Sequence, residues 1–194
     1  MDIRTFILFN LMYTSIAINE TDTRLFGAGD ELPCQTDRLW LILDGVVKSY
    51  TVSEEGSLVT LGFWGTGDLI GHSLSRVVPY NLQCLDKVKA VAIHRDRWDN
   101  FSQNLLYHAQ QTQQLSYIVR NNRIAKRLWL LLNWLAHKFG RTVEQGRLID
   151  FKLTHQEIAD AISTTRITVT KTLIQFEQEG SILRPRSKCI ILKR

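Results

Sequence analysis

Between Thr23 and His94 the apolar residues fall in short runs: Leu39–Leu43, Val46–Val52, Leu58–Trp64, Tyr80–Leu85 and Val88–Ile93. Asp44-Gly45, Glu54-Glu55-Gly56-Ser57, Gly65 and Gly67 separate them. Strand-length runs broken by such turn residues predict a small antiparallel barrel or jelly roll. After Arg95 the period lengthens to that of helices. Leu105, His108, Thr112, Leu115 and Val119 make a three-four spaced stripe on a helix over about 98–122, read either as a thin pairing seam or as a face packed on the barrel. A second helix is predicted over Ile124–Phe139, with Ile124, Leu128, Leu131, Leu132 and Leu135 on one face, Trp129 and Trp134 widening it, and Gly140 ending it. The chain therefore divides into 1–122 and 123–194.

The segment from Leu153 to Leu173 carries the most chemistry. Thr154 and Glu157 have capping-box spacing, so a helix begins at His155, with Ile158, Ala159 and Ile162 facing inwards. Ser163-Thr164 serve as a turn, and Thr165 caps a second helix that buries Val169, Leu173 and Phe176 and stops at Gly180. Two short helices joined tightly are a helix-turn-helix. Its second helix offers Arg166, Ile167, Thr168, Thr170 and Lys171 to a DNA major groove. Arg166 and Lys171, five apart and read as sharing broadly one side, suit guanine edges; Ile167 suits a thymine methyl. Thr168 and Thr170 suit phosphate oxygens. Residues 182–192 read as a hairpin wing whose tip carries Arg184, Arg186 and Lys188. The competing reading is a helix-turn-helix that only packs, its cations merely solvated.

Charge supports DNA as the partner. The net charge is +5, and no Asp or Glu occurs from Asn100 to Val143 or from Ser181 to Arg194. Cys34, Cys84 and Cys189 lie far apart, without metal-ligand or disulfide spacing, so free thiols in a reducing compartment and no metal are expected. Met1–Ala17 holds an apolar stretch, Phe6–Tyr13, too short to span a bilayer; an amphipathic first helix or a misjudged start is its reading. Phosphate-binding glycine loops and the serine-hydrolase and zinc-protease motifs do not occur, so no enzyme is expected, and His94/Asp96 and His155/Glu157 take surface and capping roles.

Strand-rich half, long helix and C-terminal winged helix together resemble the Crp/Fnr family of bacterial regulators. The reading helix Thr165-Arg-Ile-Thr-Val-Thr-Lys is similar to that of the cyanobacterial nitrogen-control branch, more than to the catabolite activator, which has glutamate at the position of Ile167. The resemblance implies an α+β fold: an N-terminal antiparallel β jelly roll like the cyclic-nucleotide-binding domains, a dimerisation helix, and a winged helix-turn-helix. It also implies a cytoplasmic homodimer that reads an inverted repeat of double-stranded DNA with Arg166 and Lys171 and works with RNA polymerase. Lys171 replaces the arginine of close relatives and loses its bidentate fork. Ser163 stands at a turn position usually glycine, tolerable if the backbone there is not strictly left-handed.

The effector site departs from the family. Where cyclic-AMP binders carry Gly-Glu and a later Arg-Ser/Thr pair, this chain has Gly71-His72 and Val78-Pro79, so control by cyclic AMP is not expected. At the 2-oxoglutarate positions of the nitrogen-control branch stand His108 and Gln113. Three readings of the pocket stay open: a small-anion site using Gly71, His72, Arg76 and His108, haem ligation by His72 or Cys84, and no effector at all. The alternative function is a small-molecule sensor module whose DNA half is vestigial or makes protein contacts.

Overall fold

The computed structural model describes residues 23–185 and 189–193. The reading of Met1–Ala17 and two basic residues of the wing, Arg186 and Lys188, lie outside them. The chain divides into two compact units, one built from residues up to Val52 with Leu61–Thr112, the other from Ser53–Thr60 with Gln113–Arg194.

The strands before the long helix form two small sheets. Strands β1 (Thr23–Phe26), β2 (Arg38–Asp44), β5 (Leu69–Ile70) and β7 (Val88–His94) form an antiparallel sheet in the order β1-β7-β2-β5. Strands β3 (Val47–Val52), β4 (Leu58–Trp64) and β6 (Asn81–Cys84) form the other, in the order β4-β3-β6. The expected antiparallel β architecture is present, and all five apolar runs are strands. Strands β1 and β5, of four and two residues, are too short to show a period in the sequence.

Strand β2 explains how the layers stack. Its Leu-Trp-Leu-Ile-Leu run does not alternate with polar residues because both faces are covered. Trp40 and Ile42 point into a core with Val47, Trp64, Ile70, Leu82 and Ala90. Leu39 and Leu41 point the other way, onto Leu69, Val91, Ile93 and Phe101. Phe101 closes a 3-10 segment, Arg95–Phe101, that leads into helix α1 (Ser102–Val119), whose Leu105 packs on the same cluster. The helix read over 98–122 thus begins as a 3-10 turn and ends three residues early.

The second unit holds α2 (Ile124–Phe139), the hairpin β8 (Gly140–Val143) and β9 (Gly146–Ile149), then α3 (His155–Ile162) and α4 (Arg166–Gln178). Strands β10 (Ile182–Leu183) and β11 (Ile191–Leu192) complete an antiparallel sheet ordered β10-β11-β9-β8. Leu128, Leu131, Leu132 and Leu135 of α2 are fully buried, and Trp129 meets Phe176 edge-on at 5.6 Å. Gly140 ends α2 through space rather than backbone conformation. Its φ is −81°, but a Cβ there would run into the carbonyl oxygens of Ala136 and Leu148.

Candidate nucleic-acid interface

Local chemistry fixes the two helices. Thr154 Oγ1 accepts the Glu157 N–H at 3.1 Å, and Glu157 Oε2 accepts the Thr154 N–H at 2.7 Å, so both halves of the capping box are made. Ile158, Ala159, Ala161 and Ile162 are buried. Thr165 caps α4 by accepting the Thr168 N–H at 3.2 Å. At the far end the Gly180 N–H closes on Glu177 and the Ser181 N–H on Phe176, with Gly180 at φ +74°, a Schellman stop.

The turn departs from expectation. Ser163 sits at φ 53°, ψ 63°, squarely left-handed, the single non-glycine residue with positive φ among those described. The condition under which serine was tolerable is therefore not met. Hydrogen bonds hold the strain in place: the Ser163 and Thr164 N–H groups both close on the Ala159 carbonyl.

Helix α4 divides cleanly around its circumference. Val169, Thr172, Leu173 and Phe176 are buried; Arg166, Ile167, Lys171 and Ile174 are exposed, Ile167 by 68%. Each fully buried apolar side chain adds about 1.5–3 kcal/mol, so the inner face anchors the rod. Arg166 and Lys171 do not share one side. At about 100° per residue they stand about 140° apart, with Ile167 between them. Lys171 and Ile167 face directly outwards, and Arg166 stands at the edge of the exposed arc, on the first turn.

The remaining polar residues are partly committed inside the protein. The Thr170 hydroxyl donates to the Arg166 carbonyl at 2.9 Å and lies 2.8 Å from His155 Nδ1. Its proton is thus engaged, which corrects its reading as a free phosphate donor. Thr168 Oγ1 lies 2.9 Å from Thr165 Oγ1. Arg184 is not at a free wing tip either. Its Nη2 and Nε reach Glu177 Oε2 at 2.6 and 3.1 Å, and its side chain is 20% exposed. This pair, seven residues apart across a helix end, left no periodic mark in the sequence. His155 does more than neighbour the cap: it pairs with Thr170, a contact without a sequence signal.

In the first unit, His108 turns inwards. Its ring stacks on Trp64 with centroids 4.2 Å apart and planes 2° from parallel, and its Nδ1 donates to the Leu69 carbonyl at 3.0 Å. Trp64 is 2% exposed and donates from Nε1 to Ser49 Oγ at 2.8 Å. His72 meets the edge of Tyr80, Arg76 is exposed, and Gly71 lies so close to β2 that a Cβ would press on Leu39 Cδ2 at 2.7 Å. Among the described residues no cluster of three or more His, Cys, Asp or Glu side chains could hold a metal ion.

The profile of the Crp-like helix-turn-helix domain matches residues 122–194. Regulatory protein CysR of Synechococcus elongatus is 37% identical over 183 residues, spanning 93% of this chain and 88% of that protein. The chain belongs to the Crp/Fnr family. The global nitrogen regulator of Synechocystis is 28% identical over 164 residues, 76% of this chain and 72% of the relative. A Crp-family transcriptional regulator of Thermus thermophilus superposes with a TM-score of 0.75 at 20% identity, over 88% of this chain and 92% of that one, which shows the shared fold.

As a Crp/Fnr member the protein is a DNA-binding transcription regulator, and the sensor module with a vestigial DNA half is not favoured. No helix among the described residues is long and apolar enough to cross a membrane.

Proposed function

We propose that two copies of this Crp/Fnr regulator pair along α1 and set their α4 helices in successive major grooves of an inverted repeat, about 34 Å apart. One observation carries the reading of α4: a capped, internally anchored rod leaves Arg166, Ile167 and Lys171 exposed and nothing else of comparable chemistry on its first turns. Arg166 and Lys171 meet guanine edges, Ile167 meets a thymine methyl, and Thr165 and Thr168 lie against phosphate. Basic groups of the wing and of the acid-free stretch around α2 add a salt-dependent share of affinity that ignores sequence.

The pairing face is not the stripe of Leu105, His108 and Leu115. Leu105 and His108 pack on the barrel and Leu115 is buried. Leu106, Gln110, Gln113 and Tyr117 recur at four-three-four spacing and are exposed, Leu106 by 54% and Tyr117 by 59%. This second stripe supports pairing of two copies. The protein acts in the cytoplasm with RNA polymerase, performs no catalysis and is not controlled by cyclic AMP. The His72 and Val78-Pro79 departures, and the stacking of His108 of α1 on Trp64, support the last point and favour a regulator without an effector or cofactor.

Selection from a randomised duplex library at fixed salt tests the reading. Enrichment of a two-fold symmetric site with half-sites about one helical turn apart is the expected result. Recovery of no preferred sequence would overturn it.

A further inference from the structure

His155, on the first turn of α3, is the one histidine bonded to the reading helix among the described residues. Because the single proton of the Thr170 hydroxyl goes to the Arg166 carbonyl, the 2.8 Å contact must be donated by His155 Nδ1. The neutral ring then carries its lone pair on Nε2. Three elements converge here: the α3 turn brings the imidazole, the α4 turn brings Arg166, and the end of β10 brings Arg184. The charged groups bearing on the ring are both cations, Arg184 and then Arg166. The nearby carboxylates are occupied, Glu177 by Arg184 and Glu157 by the Thr154 cap. Burial first, and then these two cations, hold the imidazolium below its ordinary range.

We infer that His155 is a phosphate contact of the DNA interface that takes up a proton as duplex DNA arrives and donates from Nε2 to a backbone oxygen. The inference rests on α4 being the reading helix. A phosphate offsets the charge of Arg166 and Arg184 and favours the imidazolium, reversing the influence that keeps the free ring neutral. Nδ1 keeps its bond to Thr170 in both states, so the ring needs no rotation, and the Thr170–Arg166 backbone link ties the phosphate anchor to the first turn of the reading helix. Because the contact is to phosphate, it acts on every sequence alike.

The test is fluorescence anisotropy of a labelled random-sequence duplex and of a library-selected site at fixed ionic strength, from about pH 5.5 to about pH 8.5. In the unaltered chain Kd rises with pH, by up to ~tenfold per pH unit per subunit between the free and bound titration points. His155→Gln removes that component on both duplexes, and His155→Arg binds tightly without it. NMR of the ring in the unaltered chain, assigned by the His155→Gln difference, shows its titration moving upwards when duplex is added. An unmoved ring titration, or an identical pH profile in His155→Gln, overturns the inference while leaving α4 as reader. Failure of either duplex to bind at any pH overturns both.

Discussion

Trp64 and His108 lie face to face at 4.2 Å inside the first unit, one from a strand and one from helix α1. The ring pair joins sheet to helix. Gly62 makes room for it, since a Cβ there would fall against the Trp64 ring at 2.4–2.8 Å. His108→Ala removes the stack and the Leu69 hydrogen bond together. A loss of about 1–3 kcal/mol in urea-induced unfolding is expected. Cyclic AMP should leave the melting temperature of the unaltered chain unchanged; a ligand-dependent rise would show that the pair moves aside to admit it.

Ser163 stores backbone strain of about 1–3 kcal/mol in its left-handed conformation. Ser163→Gly relieves it, offset by glycine's greater freedom when unfolded, for a net gain of about 0.5–1 kcal/mol. Ser163→Val, β-branched, should lose more than that. Thermal unfolding of the two variants checks both signs.

The outward stripe of α1 makes its own forecast. Leu106→Asp with Tyr117→Asp puts like charges along the seam where two copies would meet, and sedimentation should find monomers with intact secondary structure. A dimer that survives both changes pairs elsewhere.

His155 gives stability a definite pH trend. Its folded-state titration lies below that of the unfolded chain, mainly through burial, with Arg184 and Arg166 adding to it. In the window between the two, the unfolded chain binds more protons, so stability is present above the unfolded value and is lost as pH falls through the folded one. The melting temperature should therefore rise with pH across this range, opposite to the trend in DNA affinity, and His155→Gln should flatten it.

What the sequence disclosed, and what it hid, follows from the range of each interaction. The capping box at Thr154, the cap at Thr165 and the Gly180 stop are made within a few residues, so residue order alone reveals them. The Leu105–His108–Leu115 stripe was visible, but spacing says which residues share a face, not what covers it. The barrel covers Leu105 and His108, leaving Leu106 and Tyr117 outward. The Arg184–Glu177 and His155–Thr170 contacts join separate elements, and no period encodes them. Family position singles out Gly71, His72 and His108, and charge singles out Arg76. In the fold His108 belongs to Trp64, His72 to Tyr80, and Arg76 to solvent.

The central claim is that Arg166 reads a base. Its most direct test is the ratio of Kd for the library-selected duplex to Kd for one altered at a single guanine in each half-site, measured at one salt concentration. In the unaltered chain this ratio should favour the selected site by about 1–3 kcal/mol per half-site. Arg166→Ala should collapse the ratio at that position while preserving discrimination elsewhere in the site. An unchanged ratio in a folded Arg166→Ala protein would contradict the claim.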